Sequence, residues 1–145
     1  MGLFAWVQQF WFELLQSVAS GAELLSRRKE RTYQRVANRI LFTQAHRELW
    51  ARYAGDSELH RVKAQFVDLA NTPIMLKEHE FVTAVIQHFA TCHHAYENDV
   101  FVMPQAIGAD IKEFFTFPIP GAVWKTSRAF HDKNFAAYVE RHLNS

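Results

Sequence analysis

Along residues 3–25 the polar residues Gln9, Glu13, Gln16, Ser20 and Glu23 recur at steps of three and four, a narrow polar stripe on an otherwise apolar helix. Leu3, Phe4, Trp6, Val7, Phe10, Trp11, Phe12, Leu14, Leu15 and Val18 fill the rest of the circumference. Helical spacing resumes from Glu30 to Tyr53 through Tyr33, Ala37, Ile40, Leu41, Ala45 and Leu49, a long helix able to run on from the first. Gly55-Asp56-Ser57 ends it, and Asp56 or Ser57 can cap a short helix through Glu58-Leu59-His60-Arg61-Val62. Asn71-Thr72-Pro73 is the next break.

From about Leu76 to Asn98 the residues Phe81, Val85, Phe89, Cys92 and Tyr96 share one stripe and predict the central core helix. Beyond Pro104 a helix through Ile107, Ile111, Phe114 and Phe115 stops at Pro118 and Pro120. A short helix through Val123, Trp124 and Ser127 follows, then a last one opened by Asp132 and buried through Phe135, Tyr138, Val139 and Leu143. With no sustained two-residue alternation and few breakers, the class is all-α. The expected architecture is a long N-terminal amphipathic and basic helix plus a compact bundle of about five further helices. Residues 1–26 form a membrane-associated or oligomerising segment and residues 27–145 a single helical domain.

Composition narrows this further. An apolar fraction of 49% with 14% aromatic residues must be buried or bound, which excludes a disordered chain. The 145 residues are enough for one core without disulfides or a structural metal. The single cysteine, Cys92, cannot pair internally and reads as a buried thiol in a reduced compartment.

Charge is unevenly laid out. Residues 1–26 carry only Glu13 and Glu23, residues 27–52 carry eight Lys/Arg against two Glu, and residues 53–145 carry eight Lys/Arg against eleven Asp/Glu. An apolar helix running into a basic block suits an anionic membrane surface. Residues 3–18, broken by Gln8, Gln9 and Glu13, fall short of the roughly 20 apolar residues of a spanning helix, so the segment reads as interfacial or packed. Trp6, Phe10, Trp11 and Leu14 are the candidates for insertion or assembly, and Arg27, Arg28, Lys29 and Arg31 for anionic lipid. Two other readings stay open: a helix docked on its own domain or a second copy, and a signal peptide, which lacks its positive start. Myristoylation of Gly2 is unsupported because Trp6 stands where Ser or Thr is needed.

Candidate chemistry is sparse. His88, Cys92, His93 and His94 cluster on the central helix, and His88 with Cys92 has the one-turn spacing a metal site can use. No partner spacing forces His46, His60 or His79 to converge on them, so His88 and Cys92 read more simply as core, with His93 and His94 partly exposed. Glu78, His79 and Glu80 read as a solvated first turn favoured by the helix dipole. Asp110, Lys112 and Glu113 are equally ordinary. The five glycines are too scattered for a phosphate loop, and no G-x-S-x-G elbow occurs. Arg28, Arg31, Arg35 and Arg39 form a ridge that could meet phosphates, but the acidic remainder disfavours nucleic acid.

Asp110-Ile111, Phe114-Phe115, Pro118-Ile119-Pro120, Val123-Trp124, Phe135 and Tyr138-Val139-Glu140 resemble the C-terminal motif of small uncharacterised bacterial proteins with a membrane-associated N-terminus. His46-Arg47-Glu48-Leu49-Trp50, Glu58-Leu59 with Arg61-Val62, and Glu80-Phe81-Val82 extend the likeness over roughly 100 residues, most of a one-domain core. The resemblance implies the helical fold and assigns no activity. Its residues are packing residues: an aromatic pair, a proline corner and a Trp aimed at the core.

The expectation is therefore a helical binding protein without cofactor, held at the bacterial cytoplasmic membrane with its domain facing the cytoplasm. Its partners would be anionic lipid and either a second copy or a membrane protein. The alternatives are a small metal-dependent hydrolase using His88, Cys92 and His93, and a membrane-acting effector of bacterial stress or phage defence.

Overall fold

One helix, α1, runs from Leu3 to Gly55 in a computed structural model that describes the backbone of residues 3–145 and the side chains of residues 12–145. Its 53 residues extend about 80 Å at the helical rise of 1.5 Å per residue. The two amphipathic stretches expected from the sequence are thus one continuous rod. Asp56 then caps a 3-10 turn, Ser57–Lys63, by accepting from the Glu58 N–H at 3.1 Å, as the Gly-Asp-Ser break predicts.

Four further α-helices and a second 3-10 turn complete the described chain: α2 (Leu76–Glu97), α3 (Ala106–Thr116), α4 (Pro118–Ser127), the turn Arg128–Phe130, and α5 (Lys133–Leu143). Asp132 opens α5 by accepting from the N–H groups of Asn134 and Phe135. Pro118 both ends α3 and begins α4, because its fixed φ suits a first helical position and its missing N–H costs nothing there. No strand occurs among the described residues, and the fold is all-α.

The core gathers around α2. Phe81, Val82, Val85, Ile86 and Phe89 are buried against Ile111, Phe114 and Phe115 of α3, Ile119, Val123 and Trp124 of α4, and Phe135 and Val139 of α5. Leu59 and Val62 of the first 3-10 turn close one end, and Leu49, Trp50 and Tyr53 bring in the last turns of α1. The proline corner works by close approach. A Cβ on Gly121 would lie 2.9 Å from the Phe115 carbonyl oxygen, so only glycine lets α4 turn back this tightly over α3.

Three residues depart from expectation. Tyr96 is 51% exposed, because the chain reverses at Asn98-Asp99 and lays Phe101 over Cys92 and Ala95 instead. His93 is 5% exposed, not surface-facing, since α5 packs over it. Glu78 is not a solvated dipole residue but a fully buried carboxylate. Its Oε2 accepts from the Met75 N–H at 2.8 Å and from Arg61 Nη2 at 3.2 Å. Arg61 Nε also lies 2.9 Å from Oε1, near enough for charge attraction but not aligned for a hydrogen bond. Arg61 further donates to the Thr72 and Pro73 carbonyls, so one ion pair ties the loop before α2 to the turn after α1.

Candidate functional site

Residues 12–34 of α1 lie uncovered outside the bundle. From Phe12 to Gln34 each side chain is exposed, apart from the intermediate Gly21 position. Leu14, Val18, Leu25, Tyr33, Val36 and Ile40 recur at steps that match one face of a straight helix, and their exposures run from 42 to 73%. A shallow groove of about 800 Å³ lies along this face beside Leu25, Lys29 and Tyr33. Apolar residues at such spacing normally mark the buried side of a helix. Here no described residue buries them. Of the four insertion candidates, Leu14 lies in this stripe at 42% exposure; Trp6, Phe10 and Trp11 fall outside the described side chains. No helix among the described residues is long and apolar enough to cross a membrane.

The basic block is partly neutralised by the fold. Arg27 pairs with Glu23 one turn back at 2.6 Å, and Arg31 reaches Asp99 at 3.3 Å. Arg35 also pairs with the Asp99 carboxylate and donates from Nε to its carbonyl at 3.1 Å, while Asn38 donates to the Val100 carbonyl at 2.9 Å. Asp99 can meet both arginines because it sits at φ 60°, in the left-handed region that a turn residue after Asn98 adopts. Arg28 and Lys29 form no ion pair among the described residues. The arginine ridge is therefore a clamp on the turn after α2 as much as a surface for phosphates.

The histidine cluster is split between two faces of α2. His88 Nε2 lies 3.9 Å from the Cys92 Sγ, and the His46 ring of α1 stands 5.7 Å from that of His88, centroid to centroid. His93 points the other way, its ring 4.8 Å from Tyr138 and 5.7 Å from Phe135, with Glu97 Oε2 at 3.7 Å from Nδ1. The structure thus does not bring His88, Cys92 and His93 together. Among the described residues no group of three or more His, Cys, Asp or Glu side chains is placed to hold a metal ion.

Burial also mutes their chemistry. It pushes the Cys92 thiol up to about 11, which leaves it protonated and unreactive near neutrality. Burial, with help from nearby His46, holds His88 below the usual histidine range. His93 is likewise lowered by burial, against the opposing pull of Glu97 and Asp132. Both imidazoles are neutral at physiological pH, and neither is set against a nucleophile with a depressed pKa.

Sequence reasoning missed two partnerships that the fold creates. His46 converges on His88, although no spacing links them, and Asp99 receives Arg31 and Arg35 from 68 and 64 residues away. The local signals were present as an Asn-Asp turn and arginines four apart, but nothing in one segment points to the other. No family model matches the chain, and neither a curated protein nor a solved structure matches it.

Proposed function

We propose that this protein is a helical binding module that attaches to an anionic membrane surface through the first half of α1 and presents its bundle to partners. The observation that carries the reading is the uncovered apolar face from Leu14 to Ile40, with Lys29 within it and Arg28 beside it, neither cation in an ion pair among the described residues. An amphipathic helix of this kind lies in the membrane interface, its apolar face among acyl chains and its cations at the headgroups. Trp6, Phe10, Trp11 and Leu14 would insert, and Arg27, Arg28, Lys29 and Arg31 would meet lipid phosphates, the Glu23 and Asp99 pairings yielding to them. The resemblance of the C-terminal motif to bacterial proteins directs the proposal to the bacterial cytoplasmic membrane, with the cationic flank and the bundle on the cytoplasmic side.

The test is sedimentation of the full chain with vesicles rich in phosphatidylglycerol, beside a variant with Arg27, Arg28, Lys29 and Arg31 changed to Gln. Binding that weakens with added salt and falls in the variant supports the reading. Equal binding of both chains removes the lipid role of those cations. A chain that ignores vesicles but self-associates, and loses this on Leu14→Asp with Val18→Asp, turns the same face into an assembly surface instead.

A further inference from the structure

A second uncovered feature lies further along α1. A groove of about 560 Å³ runs between α1, α2 and the segment that leads into α3. Its floor is apolar: Phe42 meets Phe101 edge to face at 4.9 Å, over the buried Cys92. Its rims include Val36 and Val102, 56% and 67% exposed, so apolar surface continues to the mouth. The α1 residues that line it, from Arg35 to His46, extend about 16 Å at the helical rise. This is the size and lining of a small-ligand site, with a long axis along the helix.

The two ends differ in charge. Arg35 and Arg39 line one end, and Asp99 pairs with Arg35 and with Arg31 one turn before it. Arg31 and Arg35 are occupied by that acid, whereas the Arg39 guanidinium has neither ion pair nor hydrogen bond among the described residues. At the other end sits Asp110, also without an ion pair among the described residues, beside the His46 and His88 rings and near Glu113 and Lys63. An elongated ligand is thereby oriented: anion at Arg39, uncharged tail toward Ile107, no second anion near Asp110.

We propose that this groove binds a free medium-chain fatty acid, with its carboxylate on Arg39 and its single alkyl chain along Phe42, Phe101 and Ile107. A planar guanidinium receives a carboxylate through two parallel hydrogen bonds, which fixes the head while apolar contact holds the chain. One open channel with Arg39 left without an ion pair among the described residues suits a one-chain acid. The proposal goes beyond the membrane reading and does not depend on it: Val36 is the one groove residue on the apolar face assigned to the membrane, and the Leu14–Tyr33 part of that face lies outside the groove.

The test is calorimetric titration of the full chain with dodecanoate, dodecyltrimethylammonium and dodecanol, each below its micelle-forming or solubility limit. Saturable one-to-one binding of dodecanoate is expected, at least tenfold tighter than the other two. Arg39→Gln should weaken it at least tenfold. Thr43→Trp, which fills the mouth from an exposed position whose hydroxyl bonds only its own helix, should abolish it, and so should Val102→Asp on the opposite rim. Circular dichroism checks that each variant keeps its helices. Dodecanoate binding should persist in the Leu14→Asp, Val18→Asp chain, which separates the groove from the membrane segment. Failure to saturate, equal binding of the cationic amphiphile, or undiminished binding in Thr43→Trp and Val102→Asp overturns the proposal.

Discussion

Residues 12–34 and residues 42–53 of α1 carry apolar side chains at the same helical spacing, yet only the second set is covered. Leu49, Trp50 and Tyr53 pack on the bundle core, Trp50 meeting Phe81 and Phe114 edge to face with ring centroids near 6 Å. Leu14, Val18 and Leu25 stay exposed. The difference does not lie in the residues themselves. It lies in where the rest of the chain returns: α2 and the first 3-10 turn lie against the end of α1, and Asp99 reaches back only as far as Arg31. An amphipathic pattern therefore states that a face wants cover and leaves open whether the cover comes from the same chain. In the second half it does; from Phe12 to Gln34 no described residue supplies it.

The contrast can be broken most severely at the centre of the bundle. Phe81→Ala empties a site with no solvent exposure and should cost about 4 kcal/mol of stability in chemical denaturation. Loss below about 1 kcal/mol would mean that α2 is less tightly packed than its burial implies. Next comes the ion pair that joins the loop before α2 to the turn after α1. Glu78→Ala strands the Arg61 guanidinium and leaves the Met75 N–H without its acceptor, a loss of about 3 kcal/mol. This is the low end for a buried pair, because Arg61 keeps 30% exposure and can turn toward water. A smaller effect is expected at the C-terminal motif. The Trp124 Nε1–H donates to Glu140 at 2.9 Å, and Trp124→Phe, which loses that bond and leaves a void in the core, should cost about 2 kcal/mol and leave Glu140 to Arg128 alone.

The bundle and the uncovered segment should also respond differently to pH. His93 is held below its ordinary value by burial in the folded bundle, so the unfolded chain binds its proton first. Stability from this group is complete above about pH 6.5, falls as pH drops from there through the lowered folded value, and changes no further below it. A denaturation midpoint that drops between pH 7.5 and 5.5, and drops less in His93→Phe, is the expected result. The smallest stability effect belongs to the uncovered face. Leu14→Asp together with Val18→Asp should move the bundle's midpoint by no more than about 0.5 kcal/mol while reducing vesicle binding. A larger shift would show that these residues are packed in solution, and the contrast between the two halves of α1 would disappear.

Much of the element layout was legible in the sequence because it is set locally. Asp56 and Asp132 cap the elements that follow them, Pro118 starts α4, and the stripe through Phe81, Val85 and Phe89 is the core face of α2. Each of these depends on residues within about one or two helical turns of one another, the range over which spacing and turn chemistry act. The uncovered stripe of α1 was visible in the same way, as a face too apolar for water.

Only the tertiary structure decided which polar and apolar groups would meet across the chain. Glu78 looked like an ordinary first-turn acid until Arg61, 17 residues earlier, was folded against it. His93 faces away from His88 by helix spacing alone, but only packing shows that α5 covers it and that α1 brings His46 to His88. The arginine ridge was plain in the sequence, whereas its neutralisation by Asp99 depends on the turn at φ 60° and on the path of the chain after α2. The amino-acid sequence by itself determined an all-α chain, its helix ends and its apolar faces, since these follow from short-range geometry. Which faces are shared, which charges are cancelled and where grooves remain follow from the packing of distant segments, and no local pattern carries that information.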